Sequence, residues 1–245
     1  MAWYEDFFDE TYLKTYVHLD RERTSKDVDF IIKALEISKD HLVLDIPCGF
    51  GRHSIELTAR GYKVTGMEYN TPQIEEAKKL MKETGVDFEI IKADMRDIPH
   101  KNKYDRLVNF FTSFGYFTDE ENEKTMKSFS GALKPGGMML MDMASRDGML
   151  NNYQTNFIKH LAGNELLLEE QNYDPLTGRM SSLHTYINKK GERKERKFDY
   201  RMYCPYELIE MCKRHNFEVI KVLGDRGEDF KIFSRRISVI ARKAG

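Results

Sequence analysis

Four short apolar runs, HLVLDI (41–46), YKVTGMEY (62–69), FEIIKAD (88–94) and RLVNFF (106–111), alternate with stretches whose apolar residues recur every three or four positions. No other feature of the chain narrows its fold as much. Runs this short and this continuously apolar read as strands buried on both faces, and the wider spacing is that of one buried helical face. Strand, helix and strand in succession pair the strands in parallel through right-handed crossovers, with helices on both sides of the sheet.

The punctuation agrees with this reading. Thr24 or Ser25 caps a helix carrying Val28, Ile31, Ile32 and Leu35, which stops near Ile37. The loop PCGFG follows the first strand, and the next helix, Arg52 to Arg60, ends at Gly61, a residue suited to a left-handed closing position. Asn70, Thr71 and Pro72 supply a cap and a first-turn proline to a helix with Ile74, Ala77, Leu80 and Met81 on one side, closed by Gly85. Asp119 caps a further helix, and Lys134-Pro135-Gly136-Gly137 turns the chain into a fifth strand, MMLMDM. After Met143 the pattern changes. ELLLEEQNYD, RMSSLHTYIN and ERKFDYRMY are strand-like and are separated by DPLTG and KKG turns, which predicts an antiparallel β insert over 160–204. Cys204-Pro205 starts another helix, and FEVIKVLG and RRISVIARK end the pattern as a hairpin on the sheet edge.

A chain of 245 residues, 40% of them apolar, is long enough for one α/β domain over 1–245 with an embellishment. Its formal charge of −1 excludes the basic field of a dedicated nucleic-acid binder, so any such patch is local. Cys48, Cys204 and Cys212 form no CxxC pair and are too few and too scattered for a disulfide framework or a zinc site, so no metal is expected and a reducing cytoplasm fits. The start, MAWYEDFFDETYLK, has no basic residues followed by an apolar run, and no stretch approaches the roughly 18 uncharged apolar residues of a membrane helix.

The chemistry concentrates at the strand ends. Gly49-Phe50-Gly51 between a strand and a helix is the arrangement in which backbone comes close to a ligand, because glycine lacks a β-carbon and tolerates positive φ. By itself this also describes a tight turn without a ligand. Glu68 ends the second strand 17 residues beyond Gly51, where a carboxylate accepts from the hydroxyls of a ribose. Asp94 follows the third strand, within reach of an adenine amino group, with Met95 beside it to pack on the ring. Each acid alone reads as a surface charge or cap; in register after successive parallel strands they line the switch point at which such sheets bind ligands. A dinucleotide fingerprint would place a third glycine at position 54. Ser54 stands there, and a nucleoside without phosphates does not need that close approach.

VLDIPCGFG, VTGMEYN, KADMRDIP, YDRLVNFFTSFGYF and LKPGGMMLMD, in this order, resemble the ordered motifs of class I S-adenosylmethionine-dependent methyltransferases, over about two thirds of the chain. The resemblance implies a doubly wound, mostly parallel seven-stranded sheet of Rossmann-like type with the antiparallel insert after the fifth strand. It implies S-adenosylmethionine as cofactor, S-adenosylhomocysteine as product and no metal. By the same likeness Asp45 and the Gly49 to Gly51 backbone hold the methionyl amine, Glu68 the ribose, and Asp94 with Met95 the adenine; Asn109 offers backbone or side chain to the methionyl group. Tyr16, Thr24, Cys48, Arg52, Tyr69 and Phe111 complete the implied cofactor contacts, with Arg52 positioned for the cofactor carboxylate. Proline and cysteine before the glycine loop, and glutamate in place of the commoner aspartate at the ribose position, depart from the family pattern without removing hydrogen-bonding capacity. More narrowly, the chain resembles the small-molecule branch, in which an aromatic amino-terminal segment, here residues 1–24 with Tyr12 and Tyr16, closes over the cofactor and the insert covers the acceptor.

The acceptor is less constrained. His184 and Tyr186 alternate with Leu183, Thr185 and Ile187 on the insert, so the pair can share one face; Arg201, Tyr203 and Tyr116 are the other candidates for the acceptor site. No catalytic base is identified. The tract from Lys189 to Arg201 holds seven basic and three acidic residues, which is either a solvated ribbon or a patch for an anionic acceptor or RNA. Asn109 is followed by Phe110-Phe111-Thr112, without the NPPY or NPPF pattern shared by many enzymes that methylate base amines or planar amides. The expectation is methyl transfer to a small-molecule N, O or C nucleophile, with no membrane partner and a monomer or homodimer. An RNA or protein methyltransferase and a noncatalytic cofactor-binding module are the alternatives.

Overall fold

A computed structural model describes residues 3–9, 11–12 and 21–245. In chain order it contains α1 (Trp3–Phe7), α2 (Arg21–Ala34), β1 (Leu42–Asp45), α3 (Arg52–Ala59), β2 (Lys63–Glu68), α4 (Thr71–Thr84), β3 (Glu89–Lys92), β4 (Tyr104–Asn109), α5 (Asp119–Ala132), β5 (Leu133–Ala144), α6 (Arg146–Leu150), β6 (Asn156–Leu161), β7 (Glu165–Asp174), β8 (Arg179–Ile187), β9 (Arg193–Arg201), α7 (Pro205–Arg214), β10 (Phe217–Leu223) and β11 (Arg236–Lys243).

The seven-stranded sheet runs β10-β11-β5-β4-β1-β2-β3. β1 pairs in parallel with both β2 and β4, and the order reverses between them, which opens a crevice at the carboxyl ends of the central strands. β11 joins β5 and β10 in antiparallel fashion, as the terminal apolar runs predict. Successive residues of β1 feed opposite layers. Leu44 belongs to the core with Met126 and Phe129 of α5 and Leu208, Met211 and Cys212 of α7. Val43 packs in the core with Val28 and Ile31 of α2 and Leu57 of α3. Each such fully buried side chain contributes about 1.5–3 kcal/mol by leaving water, and the alternation accounts for runs that read as apolar throughout.

Two helix starts differ from the sequence expectation. Thr24 lies inside α2 rather than capping it. Thr118, not Asp119, caps α5: its side chain accepts from the Glu121 amide while Glu121 reaches back to the cap amide, a reciprocal pair that satisfies two amides at once.

The insert is larger than expected. It is a four-stranded antiparallel sheet, β6-β7-β8-β9, that begins at Asn156 rather than 160 and ends at Arg201. β6 escapes the pattern because it is an edge strand paired with β7 alone and almost wholly exposed, so nothing forces its residues to alternate. The insert is stitched to the main sheet at its base. The Arg201 amide donates to the Gly115 carbonyl after β4 at 2.7 Å, and Tyr203 bridges Ser145 at the end of β5. Gly115 has φ +103, and a β-carbon there would lie 2.5 Å from the Arg201 carbonyl oxygen, so only glycine permits the approach. No described helix is long and apolar enough to cross a membrane.

Candidate cofactor and acceptor site

The crevice is a cavity with about 980 Å³ of space free of atoms, part of it open to solvent. Its floor comes from strand ends. The PCGFG loop turns back under β2, where the Cys48 amide donates to the Met67 carbonyl at 2.8 Å. Gly66 of β2 makes room for it: a β-carbon there would stand 2.9 Å from the Cys48 sulfur. Gly49 and Gly51 hold left-handed backbone, φ +57 and +81. Glu68 is the keystone of this turn. Its Oε2 accepts from the Gly49 amide at 2.9 Å, and its Oε1 from the Tyr69 and Asn70 amides at 2.8 and 2.9 Å. Burial raises its pKa, while the three amides pull it back. With two lone pairs on each oxygen, the carboxylate keeps room for a ligand hydroxyl.

Asp94 and Met95 line the cavity beyond β3. Burial pushes Asp94 upward, but the Arg96 guanidinium, 2.7 Å from Oδ2, wins and holds the carboxylate below its ordinary range. Arg96 also pairs with Glu121, lies 4.1 Å from the centre of the Phe117 ring and donates to the Tyr4 hydroxyl at 3.3 Å. It thus joins the floor beyond β3 to α1.

At the opposite end, β4 runs into Phe111 and Thr112, two successive residues with left-handed backbone, φ 70 and 63. Such geometry in a bulky and a β-branched residue persists only when neighbours impose it. Asp142 of β5 does so: its Oδ1 accepts from the Phe111 amide at 3.3 Å and its carbonyl from the Thr112 amide at 3.0 Å. Arg236 holds Asp142 through Nε at 2.9 Å. Arg52, at the start of α3, donates to Asp27 at 2.7 Å and lies over the Phe111 ring, 5.4 Å from its centre.

The roof is aromatic. Trp3 meets Tyr116 and Phe198 with ring centres 4.9 Å apart in each case, Tyr4 meets Phe117 at 5.3 Å, and Phe7 meets Phe198 at 4.9 Å and His184 at 5.1 Å. The Gln73 amide nitrogen donates to the Phe8 carbonyl at 3.3 Å from below. From above, Arg196 donates to the Phe7 carbonyl at 2.9 Å and to Asp9 at 2.7 Å, and Lys194 pairs with Asp9 at 2.6 Å. Arg196, alone among the basic residues of a mostly exposed tract, is buried, and with Lys194 it fastens the amino-terminal segment.

Of the cofactor residues expected from sequence, Cys48, Gly49, Arg52, Glu68, Tyr69, Asp94, Met95 and Phe111 line the cavity. Asp45, Gly51 and Asn109 stand behind its wall. Asp45 is 2% exposed and accepts from the Ser54 hydroxyl at 2.6 Å; burial pushes its pKa up to about 7. Asn109 is fully buried and donates to the Ile46 carbonyl at 2.7 Å. Thr24 is buried too and accepts from Arg52 at 3.3 Å, away from the lining. Tyr16 lies outside the described residues. Of the acceptor candidates, Tyr116 lines the cavity and the other four do not. His184 is buried against Phe7 and Phe198, and burial presses its pKa to about 4. Burial, with Glu165 adding to it, raises the Tyr186 pKa to about 12. Arg201 pairs with Glu207 and Asp119, and Tyr203 packs in the main core against Phe114. Tyr4, Phe8, Gln73 and Phe117 line the cavity without having been singled out. Only the aromatic density of the first dozen residues signals any of them.

Comparison with known proteins agrees with this geometry. Residues 43–137 match the family model described as a methyltransferase domain. Glycine/sarcosine N-methyltransferase from Halorhodospira halochloris is 26% identical over 133 residues, 53% of this chain and 50% of that one. dTDP-3-amino-3,4,6-trideoxy-alpha-D-glucopyranose N,N-dimethyltransferase from Streptomyces venezuelae is 31% identical over 101 residues, 41% of each chain. The chain spans about half the length or less of these relatives. Among solved structures, the CcbJ methyltransferase from Streptomyces caelestis superposes with a TM-score of 0.84 at 19% identity, covering 100% of this chain and 99% of that one. An S-adenosylmethionine-dependent methyltransferase from Clostridium acetobutylicum ATCC 824 does so with 0.83 at 18% identity, covering 96% and 100%. The match to a methyltransferase domain is confined to residues 43–137, and over its length the chain has the fold of these solved S-adenosylmethionine-dependent methyltransferases.

Proposed function

We propose that this chain is an S-adenosylmethionine-dependent methyltransferase acting on a small-molecule acceptor, with a nitrogen nucleophile favoured by the activities of its relatives. The observation that carries the reading is the Glu68 carboxylate, buried at the tip of β2, holding the amide of the glycine loop and facing the same cavity as Asp94 and Met95. The residues present fit the cofactor. Glu68 has acceptor capacity for a ribose, Met95 an apolar face for a base, and Arg52 a buried Nη2 with no hydrogen-bond partner, suited to a carboxylate.

Bound there, the cofactor supplies a methyl group on a cationic sulfur, open to in-line displacement by a nucleophile. The protein's part is positioning. The β4 end, fixed by Asp142, sets Phe111 at the cavity wall, and Tyr116 presents an aromatic face that favours a cation by up to about 2 kcal/mol when desolvated. The amino-terminal segment keeps water out from above. An acceptor that arrives as a neutral amine needs no base, which accords with the inward placement of His184. The free thiols of Cys48, Cys204 and Cys212 accord with a reducing cytoplasm. The test is incubation with radiolabelled S-adenosylmethionine and fractionated metabolite or RNA extract. Label in a small-molecule fraction supports the proposal, label in RNA or protein favours the macromolecular alternative, and tight cofactor binding with no transfer favours a binding module.

A further inference from the structure

Phe110 and Phe111 are consecutive, yet both line the cavity. In extended backbone successive side chains point to opposite faces, so the chain has to leave the course of β4 for this to happen. The left-handed backbone at Phe111 and Thr112, φ 70 and 63, is that departure. Ser113 returns to the lining, whereas Thr112 stays out of it. The Thr112 hydroxyl oxygen instead accepts from the Ala144 amide at 3.0 Å and from Nη2 of Arg236 at 3.3 Å.

Arg236, the first residue of β11, reaches the turn by separate routes. It holds Asp142, whose Oδ1 takes the Phe111 amide, and it donates to Thr112 directly. Its guanidinium also lies 5.3 Å from the centre of the Phe111 ring. Ser238, two residues on, donates to Oδ2 of Asp142 at 2.8 Å. Asp142 is 2% exposed and Ser238 1%, so the acid is enclosed with both of its oxygens committed. A planar guanidinium fork can bridge a carboxylate, a hydroxyl and a ring at once, which a lysine ammonium cannot. Left-handed backbone in a bulky and a β-branched residue persists where its surroundings over-determine it, and such residues cluster at active sites.

The turn stands at one end of a row. Neighbouring strand ends carry Asp94 after β3, Glu68 on β2, Gly49 after β1 and Phe111 after β4. A nucleoside with its base at Asp94 and its ribose at Glu68 turns its reacting end toward β4. There the lone pair of the acceptor forms the bond to the methyl carbon as the carbon–sulfur bond breaks; that electron pair stays on sulfur as a neutral thioether, and a methylated amine gives its proton to solvent. We propose that Arg236 is a positioning residue for this transfer: through Asp142 and Thr112 it holds Phe110 and Phe111 against the reacting end, and so sets the rate of transfer rather than the affinity for the nucleoside. This rests on the function proposed above and adds to it a residue of the last strand that does not itself line the cavity.

The test sets the initial rate of label transfer, at saturating radiolabelled S-adenosylmethionine and with the metabolite fraction that the parent protein labels, against S-adenosylhomocysteine affinity by calorimetry. The paired variant Asp142→Asn with Arg236→Met removes both charges together, so neither is left buried and unpaired. It is expected to transfer label at least about tenfold more slowly, as a small misplacement of reacting groups does, while S-adenosylhomocysteine affinity changes by less than about threefold. Thr112→Val keeps the shape and loses the oxygen; it should lower the rate in the same selective way, and Thr112→Ser should recover most of that loss. If the paired variant does not fold, the two Thr112 variants decide the matter by themselves. Rate and affinity falling together mark a structural role, and an unchanged rate marks no role; either outcome overturns the proposal. If the parent protein labels no small-molecule fraction, the functional reading itself fails, and the two failures are thereby told apart.

Discussion

The floor and the roof of the cavity are built by different means. Every group on the floor sits at the end of its own strand: Gly49 after β1, Glu68 at the end of β2, Asp94 after β3, Phe111 after β4. The roof is assembled from segments far apart in the chain, with Arg196 and the Phe7 carbonyl 189 positions from one another. The floor needs only that the sheet form; the roof needs the amino-terminal segment to find the insert. A ligand gripped by the floor is therefore expected to depend on the roof for its residence time more than for its orientation.

The largest effect should come from the floor. Glu68→Ala removes the acceptor for three backbone amides as well as for the ligand, and is expected to cost about 3 kcal/mol of S-adenosylhomocysteine affinity, on the order of a hundredfold, by calorimetry. Opening the roof should be milder. Asp9→Ala releases Arg196 and Lys194, and stopped-flow fluorescence should show S-adenosylhomocysteine dissociating about tenfold faster with association little changed. An equal fall in association would mean that this segment shapes the floor, and the contrast would dissolve.

A stability measurement sharpens the floor further. Burial raises Asp45 from 3.8 to about 7, with Ser54 and Arg52 only partly offsetting it. The folded state thus holds this proton more tightly than the unfolded chain, and its stabilisation is full below pH 3.8 and lost as pH rises to about 7. In ligand-free protein, the Tm of Asp45→Asn relative to the parent should climb across that window and level off above it. A flat difference would show that Asp45 titrates normally. The smallest effect belongs to the roof. His184→Phe, replacing a neutral buried ring that packs on Phe7 and Phe198, should change S-adenosylhomocysteine affinity by less than about threefold.

The same contrast explains what could be read from the amino acids. Glu68 and Asp94 were legible because a strand of known length ends in a known direction, so position in the chain becomes position in space. The α2 and α3 layer followed from spacing for the same reason, as did the terminal hairpin. Asp27 was not legible as a partner of Arg52, 25 positions away, nor Asp142 as the holder of Phe111, because no local pattern encodes which buried acid meets which base. The His184 and Tyr186 alternation correctly placed both on one face of β8, yet that face is filled by Phe7 and its neighbours rather than turned to the cavity. The basic tract is mostly the solvated ribbon its composition suggests, with Arg196 as the buried exception. Its charge was visible in composition, and its partner, Asp9, was not.

A crystal structure of the protein with S-adenosylhomocysteine locates the ligand in the crevice or outside it. The nucleoside is expected along the strand ends, its ribose hydroxyls on Glu68, its base between Asp94 and Met95, and its amino-acid end toward the glycine loop and Arg52. Ligand density elsewhere, or a crevice that stays closed by the protein's own side chains at saturating ligand, would contradict that expectation.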